Sequence, residues 1–550
     1  IWTVNDEMKF YDLDQDKERA MKKMTIISDF VRDMRKVDPT RPISYDSNYA
    51  RKGRAERYGQ AFYDTIDDGD IDDVHAYYNW YDYNIFRFFN GEFEKKAKLP
   101  GRPLISQEMS TGYPNNETGH PTRSYQIVHQ NPMSLCGYKA YDFCDPAYFL
   151  NTQAFITGEL AEALRRSCPN GSGILHFSLH TWFKEVYDAV KIKPWATYHA
   201  LARALQPVLV SAELWGRHFY AGEQLPTRIC IVNDREDGSN VQPSLLSWQI
   251  VTENGQVLTR GTEAVRKVNH YEHYWIEPKI QLPASIPQQK INTKLVISLQ
   301  ENGKVISENV YQLTLAQRQL TEGRITNGNI AVLGDDEPIN TLKIGHRKCT
   351  SLEEAIGKKA YHMLLVGKMN KKLMKEKPLI VIAGETAINE SDIQILRTYQ
   401  RQGGNLLLLE CPEISRKTYP EYITDHLVPT EGDITFMENE DDPVFDGIDV
   451  MELRYFNNNK REMPRACSAT LKTVRSENVE ELGGQMKIHA YIDGGKPEDR
   501  IKRLDQLRGY TLLRINDGQG KALVSTLCTG KAATDPIAAQ LLNNLILLQL

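Results

Sequence analysis

Along the first 205 residues, short apolar runs alternate with stretches whose apolar positions recur at helical spacing. Ile1–Val4 reads as a buried strand and runs into the polar Asn5-Asp6-Glu7. Met24, Ile27, Val31 and Met34 then mark one face of an amphipathic helix, which Asp38-Pro39 should stop. Ile43–Tyr45, Val74–Tyr78 and Leu104–Ser106 are the next strand candidates. A helix from Ala147 to Leu164 and a last strand, Gly173–Leu179, follow. Strand–helix alternation of this kind predicts parallel βα units. A complete (β/α)8 barrel takes roughly 250 residues, so five strands here would be the second half of one.

The period changes in residues 206–317. Arg228–Val232 and Leu246–Val251 read as strands. Asn254-Gly255 and Asn302-Gly303 each sit between strand-like runs, the second between Leu295–Leu299 and Val305-Ile306. Asn-Gly suits the two positive φ angles of a type I′ hairpin turn, and two such hairpins predict a β-sandwich of immunoglobulin-like kind. After a polar link from Arg318 to Asn329, the runs Ile330–Leu333, Met363–Val366, Leu379–Ile382 and Leu406–Leu409 read as compact strands. A helix through Ile393, Leu396 and Tyr399, stopped at Gly403-Gly404, lies between the last two. That is a doubly wound, flavodoxin-like α/β pattern over residues 325–550.

Composition narrows the picture only a little. Hydrophobic residues make up 41% and charged residues 25%, the balance of a globular protein. A net charge of -5, from 67 basic and 72 acidic residues, is too even for a chain that grips nucleic acid. The eight cysteines include no C-x-x-C pair, which argues against a disulfide scaffold or zinc ribbon. No apolar run is long enough to span a bilayer. The chain starts at Ile1 without Met or a signal-like segment and ends in the apolar pattern Ile537–Leu550. It therefore reads as lacking its natural N-terminus, and the missing signal segment says nothing about compartment.

In a (β/α)8 barrel, catalytic groups sit at the C-terminal ends of strands. By that rule Glu7, after Ile1–Val4, and Glu108, after Leu104–Ser106, stand out. They lie three strands apart around the ring. Two carboxylates facing each other across a barrel mouth, ~5–5.5 Å apart, are what retaining glycoside hydrolysis needs.

Trp2-Thr3-Val4-Asn5-Asp6-Glu7 resembles the W-x-x-x-N-E segment that ends strand four in glycoside hydrolase family 2. Asp38-Pro39-Thr40-Arg41-Pro42 is similar to the entry to strand five in that family. His75-Ala76-Tyr77-Tyr78-Asn79-Trp80-Tyr81 is similar to its strand-six segment, and Pro103 to Glu108 to the strand-seven nucleophile segment. Gly173 to Trp182 resembles the strand-eight segment that ends in an active-site Trp. The resemblance implies a barrel piece, strands four to eight, over residues 1–205, and the sandwich over 206–317. It implies Glu7 as general acid/base, Glu108 as nucleophile and Tyr77 as a hydroxyl bonded to that nucleophile. Trp182 would floor the sugar subsite, with Trp80, Tyr81 and Tyr113 as further stacking groups or, equally, barrel packing. One position departs from the family: Asp6 stands where an Asn would hold the sugar 2-hydroxyl. An Asp accepts from that hydroxyl but cannot donate to the sugar.

The function this implies is a retaining exo-β-glycosidase, first a β-galactosidase, that takes a terminal sugar from an oligo- or polysaccharide without a cofactor. β-Mannosidase stays open. β-Glucuronidase is weakened, because Lys191 and Lys193 lack the Asn of that enzyme's N-x-K segment. A carbohydrate-binding homologue with a decayed site is the alternative from another class. The family also implies a periplasmic or secreted bacterial context. His75, His176 and His180 read as packing or substrate-bonding groups rather than metal ligands, since positions four apart do not share a face beyond a helix. Residues 325–550 resemble the class I glutamine-amidotransferase-like fold. Cys411, in Leu409-Glu410-Cys411-Pro412, lacks the G-x-C-x-G elbow, and none of His346, His362, His426 or His489 is followed by x-Glu. Cys411 is expected to be a packing thiol, and subunit contacts in a homo-oligomer, or a wall of the cleft, are the expected uses of the region. Gly334-Asp335-Asp336 would repel a phosphate.

Overall fold

Helix α1, Lys17–Val37, carries the spacing of Met24, Ile27, Val31 and Met34 as its inner face. The Asp16 carboxylate caps it by accepting the Arg19 N–H at 3.1 Å, and extended Asp38 ends it before Pro39. Ala20, Met24, Ile27 and Val31 pack with Ile43, Tyr45, Tyr49 and Tyr58, and the Tyr45 hydroxyl donates to the Met24 carbonyl at 2.8 Å. The Asp38 carboxylate then accepts from Thr40, the Trp2 indole and Arg41, which hold it well below the usual carboxylate range. The turn between helix and strand is thereby tied to the start of the chain.

The computed structural model describes residues 1–6, 15–75, 101–109, 114–120, 146–168, 171–176, 178–322, 325, 328–366, 377–386, 388–427, 435–457, 465–486 and 508–550. The first part of the chain holds strands β1, Trp2–Thr3, and β2, Ile43–Ser44, paired in parallel. Strands β3, Asp72–Asp73, β4, Leu104–Met109, and β5, Gly171–His176, form a second parallel set in that order. The sheets curl toward each other. On the inner face Thr3 of β1 donates to Gln107 of β4 at 2.9 Å, and Gln107 donates to Ser44 of β2 at 3.1 Å. Helices α2, Pro146–Ser167, and α3, Ala196–Ala204, pack behind β5 through Ala161, Leu201, Ala204 and Ile174. Three expected strands differ in extent: β5 ends at His176, short of the expected Leu179, which begins the 3-10 turn Leu179–Trp182. The strand expected at Val74–Tyr78 pairs earlier, at 72–73, and residues 76–100 lie outside the described residues. Strand β4 runs on to Met109, paired with His176, so Glu108 lies inside the strand rather than after it.

The next region is two antiparallel-rich sheets. One orders His273–Ile276, Thr227–Asn233 and Val208–Leu214; the other orders Val257–Val265, Ser244–Thr252, Lys290–Glu301, Lys304–Ala316 and His218–Tyr220. Alternate residues build the core between them: Leu246, Trp248 and Ile250 from one strand, Leu295, Ile297 and Leu299 from its neighbour, Val208, Val210 and Ile229 opposite. Asn302 (φ 51°) and Gly303 (φ 78°) form the expected two-residue turn. Asn254-Gly255 does not, since only Gly255 (φ 85°) is left-handed. There the Thr252 hydroxyl accepts the Gln256 N–H at 3.0 Å and closes a longer loop.

The last region is one ten-stranded mixed sheet. Its parallel part orders Arg347–Cys349, Ile330–Gly334, Leu379–Ala383, Leu406–Leu409 and Ala522–Ser525, which is the doubly wound order 2-1-3-4-5. Both faces are buried. Ile330, Val332, Leu379 and Val381 face the terminal helix Pro536–Gln549, whereas Ala331, Leu333, Ile380 and Ile382 face the helix Glu390–Arg401. Gly403 (φ 94°) stops that helix, as expected. The strand expected at Met363–Val366 is instead part of the helix Lys358–Leu365: Leu364 is buried while Leu365 and Val366 are exposed. Four consecutive apolar residues fit a buried strand and a helix edge equally well. The antiparallel strands Ile423–Leu427, Thr470–Thr473, Val479–Met486 and Arg508–Ile515 extend the sheet without having been foreseen. No helix among the described residues is long and apolar enough to cross a membrane.

Buried charge joins the regions. The Glu162 carboxylate of α2 accepts from the Tyr311 hydroxyl at 2.5 Å and from Ser211, and lies 3.4 Å from the Arg166 guanidinium. His218 meets Asp535 at 3.0 Å, and Asp535 also caps the terminal helix. Removing one member of such a cluster strands the others away from water. Glu162→Ala is expected to destabilise the fold by about 3 kcal/mol, and Glu162→Gln by clearly less. Urea-denaturation midpoints of the two variants check this ordering.

Candidate active site

The chain after β2 crosses the C-terminal ends of β1 and β3, and its polar groups do the fixing. Ser47 donates its N–H to the Asn5 carbonyl at 3.1 Å and its hydroxyl to the Asp6 carboxylate at 2.6 Å. The Asn5 amide donates to Asp46 at 3.2 Å. Asn48 sits in the left-handed region (φ 59°), which Asn tolerates better than most residues. That conformation turns its N–H to Asp73 at 2.6 Å and its side-chain oxygen to the His75 N–H at 3.1 Å.

Asp73 is wholly buried. Besides Asn48 it accepts the Gln107 N–H at 2.8 Å, so one carboxylate clamps the β2 loop and strand β4 to the end of β3. Asp72 points the opposite way, as alternation along a strand requires, and meets Arg51. His75, two residues beyond Asp73, is also buried. Its Nε2 lies 3.4 Å from Asp73 Oδ2, and its Nδ1 lies 3.2 Å from Glu108 Oε2. Glu108 retains 16% side-chain exposure, so its carboxylate is reachable from the mouth while its other side faces buried charge.

Among the expected site residues the structure brings Asp6 and Glu108 to the same end of the curled sheet. Asp6 is exposed and bonded to Ser47. Glu7, Tyr77, Trp80, Tyr81 and Tyr113 lie outside the described residues. Trp182 donates its indole N–H to His176 Nδ1 at 2.6 Å and rests its ring on the Ala161–Leu201–Ala204 cluster between α2 and α3. Those are the contacts of a packing residue; its link to the mouth is through His176, which pairs in register with Met109 beside Glu108. Burial lowers the His176 pKa to about 3. His180 bonds instead to Ser178 at 2.6 Å. Among the described residues no group of three or more His, Cys, Asp or Glu is placed to hold a metal. Sequence reasoning missed Asn48 and Asp73 and gave His75 no partner. The available signal was Asp73-x-His75 at the end of a strand, two chemistry-bearing groups on one face.

In the ten-stranded region, the Cys411 thiol is buried against the Ile382 carbonyl and the Ser415 hydroxyl, and burial pushes it well above the usual thiol range. The strand-to-helix elbow is present, but Glu410 (φ 51°) occupies its left-handed position and accepts the Gly530 N–H at 2.7 Å. A protonated, enclosed thiol is no nucleophile.

No family model matches the sequence, and a search of curated proteins finds no match. Among solved structures, the β-D-mannosidase of Dictyoglomus thermophilum is 14% identical over 52% of this chain and 34% of its own, with a TM-score of 0.33. The exo-chitosanase of Amycolatopsis orientalis is 13% identical over 56% and 36%, with a TM-score of 0.31. The β-glucuronidase of Bacteroides uniformis is 12% identical over 60% and 35%, with a TM-score of 0.25. The chain spans about a third of the length of each of these structures. Likeness this low carries no weight for the activity, which rests on the residues themselves.

His176 gives a pH prediction. An exposed His in the unfolded chain takes up a proton near pH 6.5, whereas the buried ring resists until about 3. The unfolded state therefore binds more protons within that window, and stability falls as pH drops from 6.5 toward 3. The slope from this group approaches about 1.4 kcal/mol per pH unit. His176→Gln, which can still accept from Trp182, should flatten that acid limb in thermal or urea unfolding measured from pH 7 to 4.

Proposed function

We propose that this chain carries the acid/base and nucleophile strands of a retaining exo-β-glycosidase, with β-galactosides as the first substrate class and β-mannosides next. The observation that supports it is the Thr3–Gln107 hydrogen bond. Thr3 lies four residues before Glu7 and Gln107 immediately before Glu108, and their side chains meet on the inner face of the curled sheet. Strand ends so joined support the reading in which Glu7 and Glu108 serve one site. Residues 1–205, 206–317 and 325–550 are read as a barrel piece, a sandwich and an accessory α/β domain, and export from a bacterial cytoplasm belongs to the same proposal.

In the mechanism, the Glu108 carboxylate attacks the anomeric carbon as the bond to the leaving oxygen breaks. Glu7 gives its proton to that oxygen. Water then attacks the glycosyl-enzyme ester, Glu7 takes the water proton back, and Glu108 is released as carboxylate. No cofactor enters these steps. Asp6 would accept from the sugar 2-hydroxyl. Its Ser47 bond occupies one carboxylate oxygen, which favours, as second reading, a carbohydrate-binding protein whose hydrolytic site has decayed.

The protein is expected to hydrolyse one member of a panel of aryl β-galactosides, β-mannosides and β-glucuronides. Glu108→Gln should lower kcat by at least about 10³-fold, the scale on which loss of a nucleophile is felt. A folded protein that binds sugars in calorimetry but releases no aglycone from any glycoside would overturn the glycosidase reading in favour of the decayed one.

A further inference from the structure

We propose that His75, set against Asp73, is the positioning residue of the Glu108 carboxylate: its Nδ1 edge holds Oε2 and so fixes the rotation of the carboxyl group. The inference rests on the nucleophile reading of Glu108 and adds a group that no motif assigned. The geometry begins at Asp73. Its two oxygens already accept backbone N–H groups, from Asn48 at 2.6 Å and Gln107 at 2.8 Å, and the side chain is wholly buried. A carboxylate oriented by two main-chain donors cannot rotate away from the ring beside it. His75 Nε2 stands 3.4 Å from its Oδ2, within ion-pair reach but out of line for a hydrogen bond, so the ring lies between two carboxylates as an imidazolium with N–H on both edges. The opposite edge, Nδ1, then faces Glu108 Oε2 at 3.2 Å.

The ring is 3% exposed and fixed from behind by its own main chain, whose N–H bonds to Asn48. Among the described residues, the charged groups brought against it are Asp73 from its own segment and Glu108 from β4; the β2 loop contributes the neutral Asn48. An Nδ1 donor holding one oxygen fixes the rotation of the Glu108 carboxyl. Fixed rotation matters because in-line attack at an anomeric carbon demands one oxygen at a set distance, and small misplacements are costly in rate. The Ser106 hydroxyl, donating to the Glu108 carbonyl at 3.2 Å, steadies the main chain at the same residue. Asp73, His75 and Glu108 thus form a relay of orientation, with the N–H groups of two strand ends as its anchor.

Two readouts on the protein separate this proposal from the glycosidase reading. The first is ¹⁵N-histidine NMR, with the His75 signals assigned by their loss in His75→Phe. Glu108→Gln should move the His75 ring titration down by about one pH unit, because an opposite charge in contact is removed. The second is kinetics on whichever aryl β-glycoside is cleaved. His75→Phe should lower kcat about 10²-fold with KM within a few-fold, and His75→Gln, which still offers an N–H, should recover about a tenth of the wild-type kcat. Circular dichroism and an unchanged thermal midpoint for His75→Gln guard against a folding defect. A His75 titration indifferent to Glu108→Gln, or a His75→Phe kcat within three-fold of wild type, would overturn the proposal. Wild-type protein inactive on every glycoside would overturn the glycosidase reading instead, and the NMR response would still decide the pairing.

Discussion

The Asp73 carboxylate is the constraint on which the mouth of the curled sheet depends. It is a charge-bearing group with no exposed surface, and it is tolerable there only because main-chain N–H groups from two other strand ends converge on it. The bargain works in both directions. Asn48 adopts a left-handed backbone that most side chains disfavour, and its recompense is two hydrogen bonds, one to Asp73 and one to the His75 main chain. Gln107 is held by its N–H to Asp73 while its amide spans Thr3 and Ser44. Four strand ends are therefore registered by one acid, and the position of Glu108, the next residue after Gln107, follows from that registration.

The same logic recurs where the regions of the chain meet. Parallel strands and sandwich strands bury apolar side chains by simple alternation, a force that is strong but without direction. Orientation between packed layers comes instead from Glu162 among Tyr311, Ser211 and Arg166, and from His218 with Asp535. A buried ion pair adds little net stability against an apolar replacement, yet a single missing partner is expensive. Such clusters act as registration marks between regions of the chain remote in sequence.

How much of this was legible in the sequence depended on whether the determinant was local. The helix over Met24 to Met34 was readable because one face repeats every three or four residues and Asp38-Pro39 ends it. The strands Ile330–Gly334, Leu379–Ala383 and Leu406–Leu409 were readable because both faces are buried and the runs are wholly apolar. Met363–Val366 shows the limit. The run has the same composition as those strands, and only Gly357 at φ 91°, five residues before His362, begins a helix there. The Asn-Gly pairs show another: Asn302-Gly303 turned as its residues prefer, whereas at Asn254-Gly255 a threonine hydroxyl two residues earlier took the Gln256 N–H and changed the turn.

For the site the division is sharper. Glu108 drew attention in the sequence because a glutamate after an apolar run fits the pattern of strand ends at barrel mouths. Its surroundings did not, because Asn48, Asp73 and His75 acquire meaning only when the β2 loop folds across β3. In the sequence, Asp70, Asp72 and Asp73 are three acids within four residues, and only the spacing of Asp73 to His75 separates one of them. Folding completes the separation: all three accept main-chain N–H groups, but Asp70 and Asp72 also pair with Arg35 and Arg51, while Asp73 faces the main chain of two other strand ends and the His75 ring. The difference between Asp72 and Asp73 is thus a single step in strand alternation between two buried faces, which gives one acid an arginine and the other the main chain of two neighbouring strand ends.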